Sequence, residues 1–453
     1  MHRDLDDSTT LTTRVPPPTT GGSAAVLHLV LVWAADGSAR LGEVASVTRS
    51  ACLGRGTSRA DSDPPKLEFS RCRPGATEPT GALDGSGLSR RQWLLNPRGN
   101  TLEVRNVGKN VLLHNGGHVR DCVARAGDTV GVDGVALFLL EHRPRVLQSA
   151  EFKPFTFGSP DESGLIGESA EAWRLRGELR HVARSSAHVL LLGGSGAGKE
   201  LCARAIHQQS ERAPFPLVSR NAATIPETLM EAELFGNIRD YPNSGTPARP
   251  GLIGQAHRGM LFLDEIAELG EAQQAGLLRV LDAGEYQQLG DAKTRTSELR
   301  LIAATNRDPE CLKHDLLARF AERIELPALN ERRADIALIA RHIAQQIAAS
   351  ESGARSPSLQ LTERLLRHDY RANVRELERL LRLAAREPSP QLELTPAVEA
   401  ELKIAAETPE PAPDAILAAL ARSPNVTDAA RDLGLPNRYA LYRLMKRLGI
   451  KAE

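Results

Sequence analysis

Short apolar runs broken by glycine, asparagine, aspartate and proline fill the chain from Ala24 to Glu141. AVLHLVLVW, WLLN, LEVRN, NVLLHNG and VALFLLEH are five of them. Such runs with frequent turns predict strands and an all-β unit. The pattern changes after Leu165. HVLLLGG, GMLFLDE and LRLIAATN alternate with helical stretches such as KELCARAIHQQ and EAQQAGLLRVLDAG. This alternation predicts a parallel sheet covered by helices. Residues 331–386 carry Leu, Ile, Ala and Arg at helical spacing, which predicts a small helical subdomain. Two or three short amphipathic helices are expected within 415–450. The expected order is a disordered tail over 1–23, a β domain over 24–145, a linker over 146–163, an α/β unit over 164–329, a helical subdomain over 330–386, an acidic linker over 387–414 and a helical unit over 415–453.

At 453 residues the chain is too long for one hydrophobic core. Hydrophobic residues at 41% and charged residues at 25% exclude a wholly disordered protein. The 57 basic and 57 acidic residues cancel, but unevenly along the chain. Residues 387–414 hold seven acids against one lysine, and 415–453 hold seven basic residues against three acids. Neutrality therefore excludes a protein that coats DNA along its length, not one with a basic terminal module. The five cysteines are scattered without CxxC spacing, so neither a disulfide framework nor a zinc site is expected. A reducing, cytoplasmic setting fits them. The apolar run Ala24–Ala35 is interrupted by His28 and is too short to span a bilayer. The residues before it lack the apolar stretch of a signal peptide, and no membrane partner is expected.

The chemistry is densest after Leu190-Leu191-Leu192. There Gly193-Gly194-Ser195-Gly196-Ala197-Gly198-Lys199-Glu200 forms GxxxxGK at a strand-to-helix turn. Backbone N–H groups of such a loop wrap phosphates, and Lys199 is placed to reach the β- and γ-phosphates. The residue after the lysine is Glu200, where the strict motif has a magnesium-binding hydroxyl. Gly259–Glu265 is an apolar strand ending in two acids. Asp264 is the candidate magnesium ligand, and Glu265 the candidate general base on the attacking water. A third strand ends in Thr305-Asn306-Arg307, at the strand tips where ligands of parallel sheets bind.

LIGES, GGSGAGKELCARAIH, NAATIPETLMEAELFG, GMLFLDEIAEL, LLRVLDAGEYQQLG, LRLIAATNRD and NVRELERLL occur in this order. Together they resemble the AAA+ domain of bacterial enhancer-binding proteins, the sigma-54-dependent transcription activators, over Leu165 to about Ala385. The resemblance implies an ATPase that works as a homo-oligomeric ring on RNA polymerase with sigma-54, using ATP and magnesium. It makes Glu200 ordinary, because glutamate follows that lysine in the family. It implies that Asn221 restrains the catalytic Glu265 until the γ-phosphate is sensed. It gives Thr305 and Asn306 to the first sensor and Arg375 to the second. Arg319 matches one of two arginine fingers acting across a subunit boundary. Lys313 replaces the other, keeping its charge but not its bidentate fork, so hydrolysis is expected in weakened form. The family's sigma-54-contacting GAFTGA loop is absent. Asp240-Tyr241-Pro242-Asn243-Ser244-Gly245 stands there, which puts sigma-54 remodelling in question.

Residues 415–450 predict a helix-turn-helix. Thr427 is the expected N-cap of one helix, and Gly434 stands at the turn. The second helix, Asn437 to Leu448, stripes Leu441, Leu444 and Leu448 along one face. It leaves Asn437, Arg438, Tyr439, Arg443, Lys446 and Arg447 as candidate contacts to double-stranded DNA. This unit resembles the Fis-type motif that closes most enhancer-binding proteins.

In the β domain, Leu53-Gly54-Arg55-Gly56, Gly87–Gln92, Val104–Asn110 and Ala126–Val130 resemble a forkhead-associated (FHA) sandwich. That family binds phosphothreonine, so a phosphorylated protein or a serine/threonine kinase is the implied partner. Arg55 and Ser89 match its phosphate contacts, Asn110 matches the asparagine on the peptide backbone, and Arg90 is an added candidate. Gln92 replaces a structural histidine. The expected molecule is an ATP-dependent DNA-binding regulator. The alternative from another class is an ATP-responsive DNA-binding protein that does not remodel sigma-54.

Overall fold

The computed structural model describes residues 25–36, 39–56, 64–85, 87–145, 147, 152–351, 355–406, 413–423, 426–433, 435, 441–442, 444–445, 448 and 450. The β domain is a sandwich of two antiparallel sheets. Its strands are β1 (Val26–Ala34), β2 (Val44–Ser46), β3 (Ala51–Leu53), β4 (Phe69–Arg73), β5 (Ala76–Gly81) and β6 (Trp93–Arg98). They continue with β7 (Thr101–Asn106), β8 (Leu112–His114), β9 (Gly117–Val119), β10 (Asp121–Arg125), β11 (Thr129–Val132) and β12 (Ala136–Arg143). The larger sheet runs β5-β4-β2-β1-β12-β11-β8-β9 and the smaller β10-β7-β6-β3. In β1, Leu27, Leu29 and Leu31 alternate with Val30 and Val32, and both sets are buried. The leucines enter the sandwich core with Phe69, Trp93 and Phe138. The valines face the opposite way, into a core shared with the helical subdomain. A strand apolar on both faces is one covered on both faces.

The α/β unit holds α1 (Ala170–Ala183), β13 (Val189–Leu192), α2 (Lys199–Gln208), β14 (Leu217–Asn221), α3 (Met230–Phe235) and α4 (Gly251–Gln255). After these come β15 (Met260–Asp264), α5 (Glu271–Ala283), the hairpin β16 (Glu285–Gln287) and β17 (Thr294–Thr296), β18 (Arg300–Thr305), α6 (His314–Ala318) and β19 (Glu322–Glu325). Five parallel strands form one sheet in the order β14-β15-β18-β13-β19. The predicted strands are β13, β15 and β18, each buried along its apolar run. The edge strands β14 and β19 were not legible, because both carry charged or polar residues among few apolar ones.

The helical subdomain is α7 (Ile336–Glu351), α8 (Leu359–Arg367), α9 (Asn373–Ala385) and α10 (Pro396–Ala406). Here the expected linkers are corrected. Within 387–414, α10 packs on α9, and Leu392, Val398 and Leu402 are buried in the subdomain core. Acids on its outer face disguised an amphipathic helix as a tether. The described part of 146–163 is likewise packed, with Phe152 and Phe155 against Trp173 at centroid separations of 4.9 and 5.8 Å. The tail 1–23 lies outside the described residues.

At the end of the chain, α11 (Pro413–Arg422) packs on α12 (Val426–Asp432) around Ile416, Ala419, Ala429 and Ala430. The helix α12 is described from Val426, which places the backbone of Thr427 within it. Leu441, Leu444 and Met445 join the same small core, whereas Leu448 is 39% exposed. Met445, one position after Leu444, takes the place in the apolar stripe expected of Leu448. Gly434 and the six candidate DNA contacts Asn437, Arg438, Tyr439, Arg443, Lys446 and Arg447 lie outside the described residues. Among the described residues, no helix is long and apolar enough to cross a membrane.

Candidate functional site

The phosphate loop follows β13, whose four residues are fully buried or nearly so. Gly196 has φ 70° and Gly198 has φ 104°, conformations that a side chain disfavours. Gly198 is the N-cap of α2, so the loop ends on free N–H groups at a helix N-terminus. Lys199 is buried, donates to the Gly193 carbonyl at 3.2 Å and lies 3.8 Å from the Glu265 carboxylate. Glu200 is exposed and points away, to Arg204 at 3.6 Å. Its contribution to the site is its backbone.

Parallel register brings the other groups to the same end of the sheet. Asn221 pairs in register with Asp264, and Leu192 with Thr305. Asp264 accepts from the Glu265 N–H at 3.0 Å. Glu265 has φ 53°, which turns its carboxylate to accept from the Asn306 N–H at 3.2 Å. Thr305 is fully buried, and its hydroxyl oxygen accepts from Arg307 N–H at 3.0 Å. The expected link between Asn221 and Glu265 is not made in this structure. The Asn221 side-chain oxygen instead accepts from Ala223 N–H at 2.9 Å, capping a short 3-10 turn. Lys199 and Asn306 hold Glu265 in its place.

The helical subdomain closes directly on the loop. Arg375 donates to the Ser195 hydroxyl at 2.7 Å. The Asn373 amide donates to the Ser195 carbonyl at 2.9 Å, and Val374 N–H to the Gly196 carbonyl at 3.2 Å. A Cβ on Gly196 would strike the Ala372 carbonyl, so glycine is required for the approach as well as for φ. Sequence reasoning missed two participants. Asn373 takes φ 49°, which lets its oxygen accept from Leu329 N–H while its amide reaches Ser195. Arg332, buried behind the loop, reaches the Ala197 carbonyl at 3.4 Å, and burial holds its pKa down. Asn373 opens the NVRELERLL motif without a signature of its own role, and Arg332 has none.

The finger candidates sit apart from this cluster. Arg319 pairs with Asp282 at 2.6 Å and Lys313 with Glu271 at 3.4 Å, all on the surface of α5 and α6. The replaced loop is closed on itself. The Asp240 carboxylate accepts from Gly245 N–H at 2.7 Å, and Asp240 N–H donates to Thr246. The amide of Asn237 reaches the Ile238, Tyr241 and Pro247 carbonyls. The Tyr241 ring lies over Gly290 of the β16–β17 hairpin, 2.6 Å from where a Cβ would stand, yet remains 39% exposed.

In the sandwich, Arg55, Ser89, Arg90 and Asn110 converge. Arg55 N–H donates to the Ser89 carbonyl, the Ser89 hydroxyl accepts from Lys109 N–H, and the Asn110 amide donates to the Gly87 carbonyl. Arg55 and Arg90 are exposed. Gln92 is fully buried and joins these loops. Its oxygen accepts from Ser89 N–H, and its amide donates to Asn106 and to the Asn110 carbonyl.

Residues 165–324 match the Sigma-54 interaction domain, and residues 330–402 match the AAA+ ATPase lid domain. Over 307 residues the chain is 36% identical to the transcriptional regulatory protein ZraR of Salmonella typhi, covering 64% of this chain and 70% of that protein. This chain belongs to the sigma-54-dependent regulator family. Its α/β unit is the family's AAA+ P-loop ATPase core, and α7–α10 form the lid. It is 41% identical over 259 residues to the anaerobic nitric oxide reductase transcription regulator NorR of Aeromonas hydrophila. That match covers 54% of this chain and 50% of the relative, so the chain spans half the length of this sigma-54-family regulator. NtrX from Brucella abortus, solved in complex with ADP, is 30% identical with a TM-score of 0.48, covering 64% of this chain and 70% of NtrX.

Proposed function

We propose that this chain is an ATP-hydrolysing, DNA-binding transcription regulator of the sigma-54 activator type. The observation that carries the reading is the lid turn Asn373–Arg375 closed on Ser195 and Gly196, beside Lys199 and Glu265. An adenine nucleotide would bind at this place through its phosphates. The loop N–H groups and Lys199 would hold its phosphates, and Arg375 would leave Ser195 for phosphate oxygen. No cluster of three metal-ligating side chains occurs among the described residues. One carboxylate, Asp264, with phosphate oxygens and water suits magnesium, which seldom takes an all-protein cage. Glu265 would orient the attacking water, with Thr305 and Asn306 holding the strand tip beside it. Asn221 would take Glu265 only after its cap on Ala223 opens. Arg319 and Lys313 would serve the neighbouring subunit of a ring. Their present partners are surface ion pairs, worth little to hold them back.

Arg55, Ser89, Arg90 and Asn110 would bind phosphothreonine on an FHA-type sandwich, with Gln92 substituting for the histidine that ties such loops together. The terminal helices would carry the chain to double-stranded DNA. One observation favours the second reading, an ATP-responsive regulator that does not remodel sigma-54. The Asp240–Gly245 loop is pinned by its own aspartate and offers Tyr241 as its exposed apolar group. Transcription in vitro with purified sigma-54 holoenzyme separates the two. ATP-dependent initiation that vanishes in Lys199→Ala supports the activator. Hydrolysis without initiation supports the second reading.

A further inference from the structure

The sandwich is not an appended module. Val30, Val32, Leu113, Leu137 and Leu139 share one core with the lid helices. Polar contacts bracket that core. Trp33 Nε1 donates to the Pro357 carbonyl at 2.9 Å, and Arg367 donates to the Asn115 carbonyl at 2.7 Å. A second attachment lies at the start of the α/β unit. Arg73 forms a two-pronged pair with the buried Glu168 at 2.5 and 3.1 Å, and Arg143 donates to the Glu168 carbonyl. Glu168 and Ser169 N–H in turn donate to Asp335, just before α7.

We infer that the sandwich is a brace on the lid. It holds α7 and α8 at a fixed position relative to residues 165–169, and so sets how firmly Asn373 and Arg375 close over the phosphate loop. Nucleotide retention then depends on a contact far from the nucleotide. The brace also has an input. Asn110 leads within five residues, through β8, to Asn115, whose carbonyl Arg367 holds. A change in the Ser89–Asn110 loops therefore has a short covalent route to the lid.

This inference rests on the nucleotide-binding reading, and one experiment tells their failures apart. The release of a fluorescent ADP analogue is timed from the full chain, from the double variant Trp33→Phe with Arg367→Ala, and from Arg367→Lys. The brace predicts release at least about fivefold faster from the double variant, a typical lower bound for coupling between sites. It predicts a near-normal rate for Arg367→Lys, which keeps a donor for Asn115. Equal rates in the wild type and a folded double variant overturn the brace and leave the nucleotide reading intact. A wild type that binds no ADP overturns both. If the double variant does not fold, Arg367→Ala carries the same comparison, since that side chain is 44% exposed.

Discussion

His28 and Glu141 face each other across β1 and β12 and titrate in opposite directions. Burial pushes the His28 imidazole down to about 4, from 6.5, and it is 7% exposed. Its folded pKa is depressed, so its share of stability is complete above pH 6.5 and is lost as pH falls toward 4. Burial pushes Glu141 up to about 7, from 4.5, with Arg143 opposing. The folded chain keeps that proton longer, so this share is complete below pH 4.5 and is lost as pH rises toward 7. Between pH 4.5 and 6.5 the two slopes cancel. His28→Gln removes the opposing His28 slope, so relative to the wild type the variant should lose roughly 1 kcal/mol of stability per pH unit there. Denaturant melts at three pH values check this, and parallel profiles would sink it. At this scale Lys199 and Glu265 were legible because motif spacing fixes them, and Arg375 because the resemblance to the family implies it. The positive φ of Asn373 and the burial of Arg332 were not, because both depend on chain that folds in from elsewhere.

At the scale of elements, apolar period carried the reading until charge obscured it. β13, β15 and β18 announce themselves as buried runs, whereas β14 and β19 are edge strands with polar exposed positions. The helix α10 hid behind its acids, although Val398 and Leu402 lie one helical turn apart and both enter the lid core. Leu402→Ala should therefore cost about 2–5 kcal/mol of lid stability, as core leucine truncations do. A tether would show no change in thermal melting. The Asp240–Gly245 loop makes the complementary point. Its sequence announced the loss of the family's contact pair, but its closure needs the Asn237 amide and Gly290 across the hairpin. Asp240→Ala should free the loop and raise its cleavage by a limiting protease severalfold, with ATP hydrolysis unchanged. Cleavage at the wild-type rate would contradict the pinning.

At the scale of the molecule, separate domains were legible but their union was not. The second apolar face of β1 reads in the sequence simply as part of one long run. Only the structure gives that face a lid to cover. The formal neutrality of the chain conceals the same kind of division, since an acidic stretch, part of it in the lid helix α10, precedes the basic terminal unit. In the proposed ring Lys199 and Glu265 would act in one subunit while Arg319 acts on the next. ATP hydrolysis per subunit measured against protein concentration tests it most directly. Specific activity is expected to rise with concentration to a plateau, to be abolished by Lys199→Ala and to fall at least about a hundredfold in Arg319→Ala, in the manner of lost arginine fingers. A specific activity independent of concentration, or an Arg319→Ala variant as active as the wild type, would contradict it.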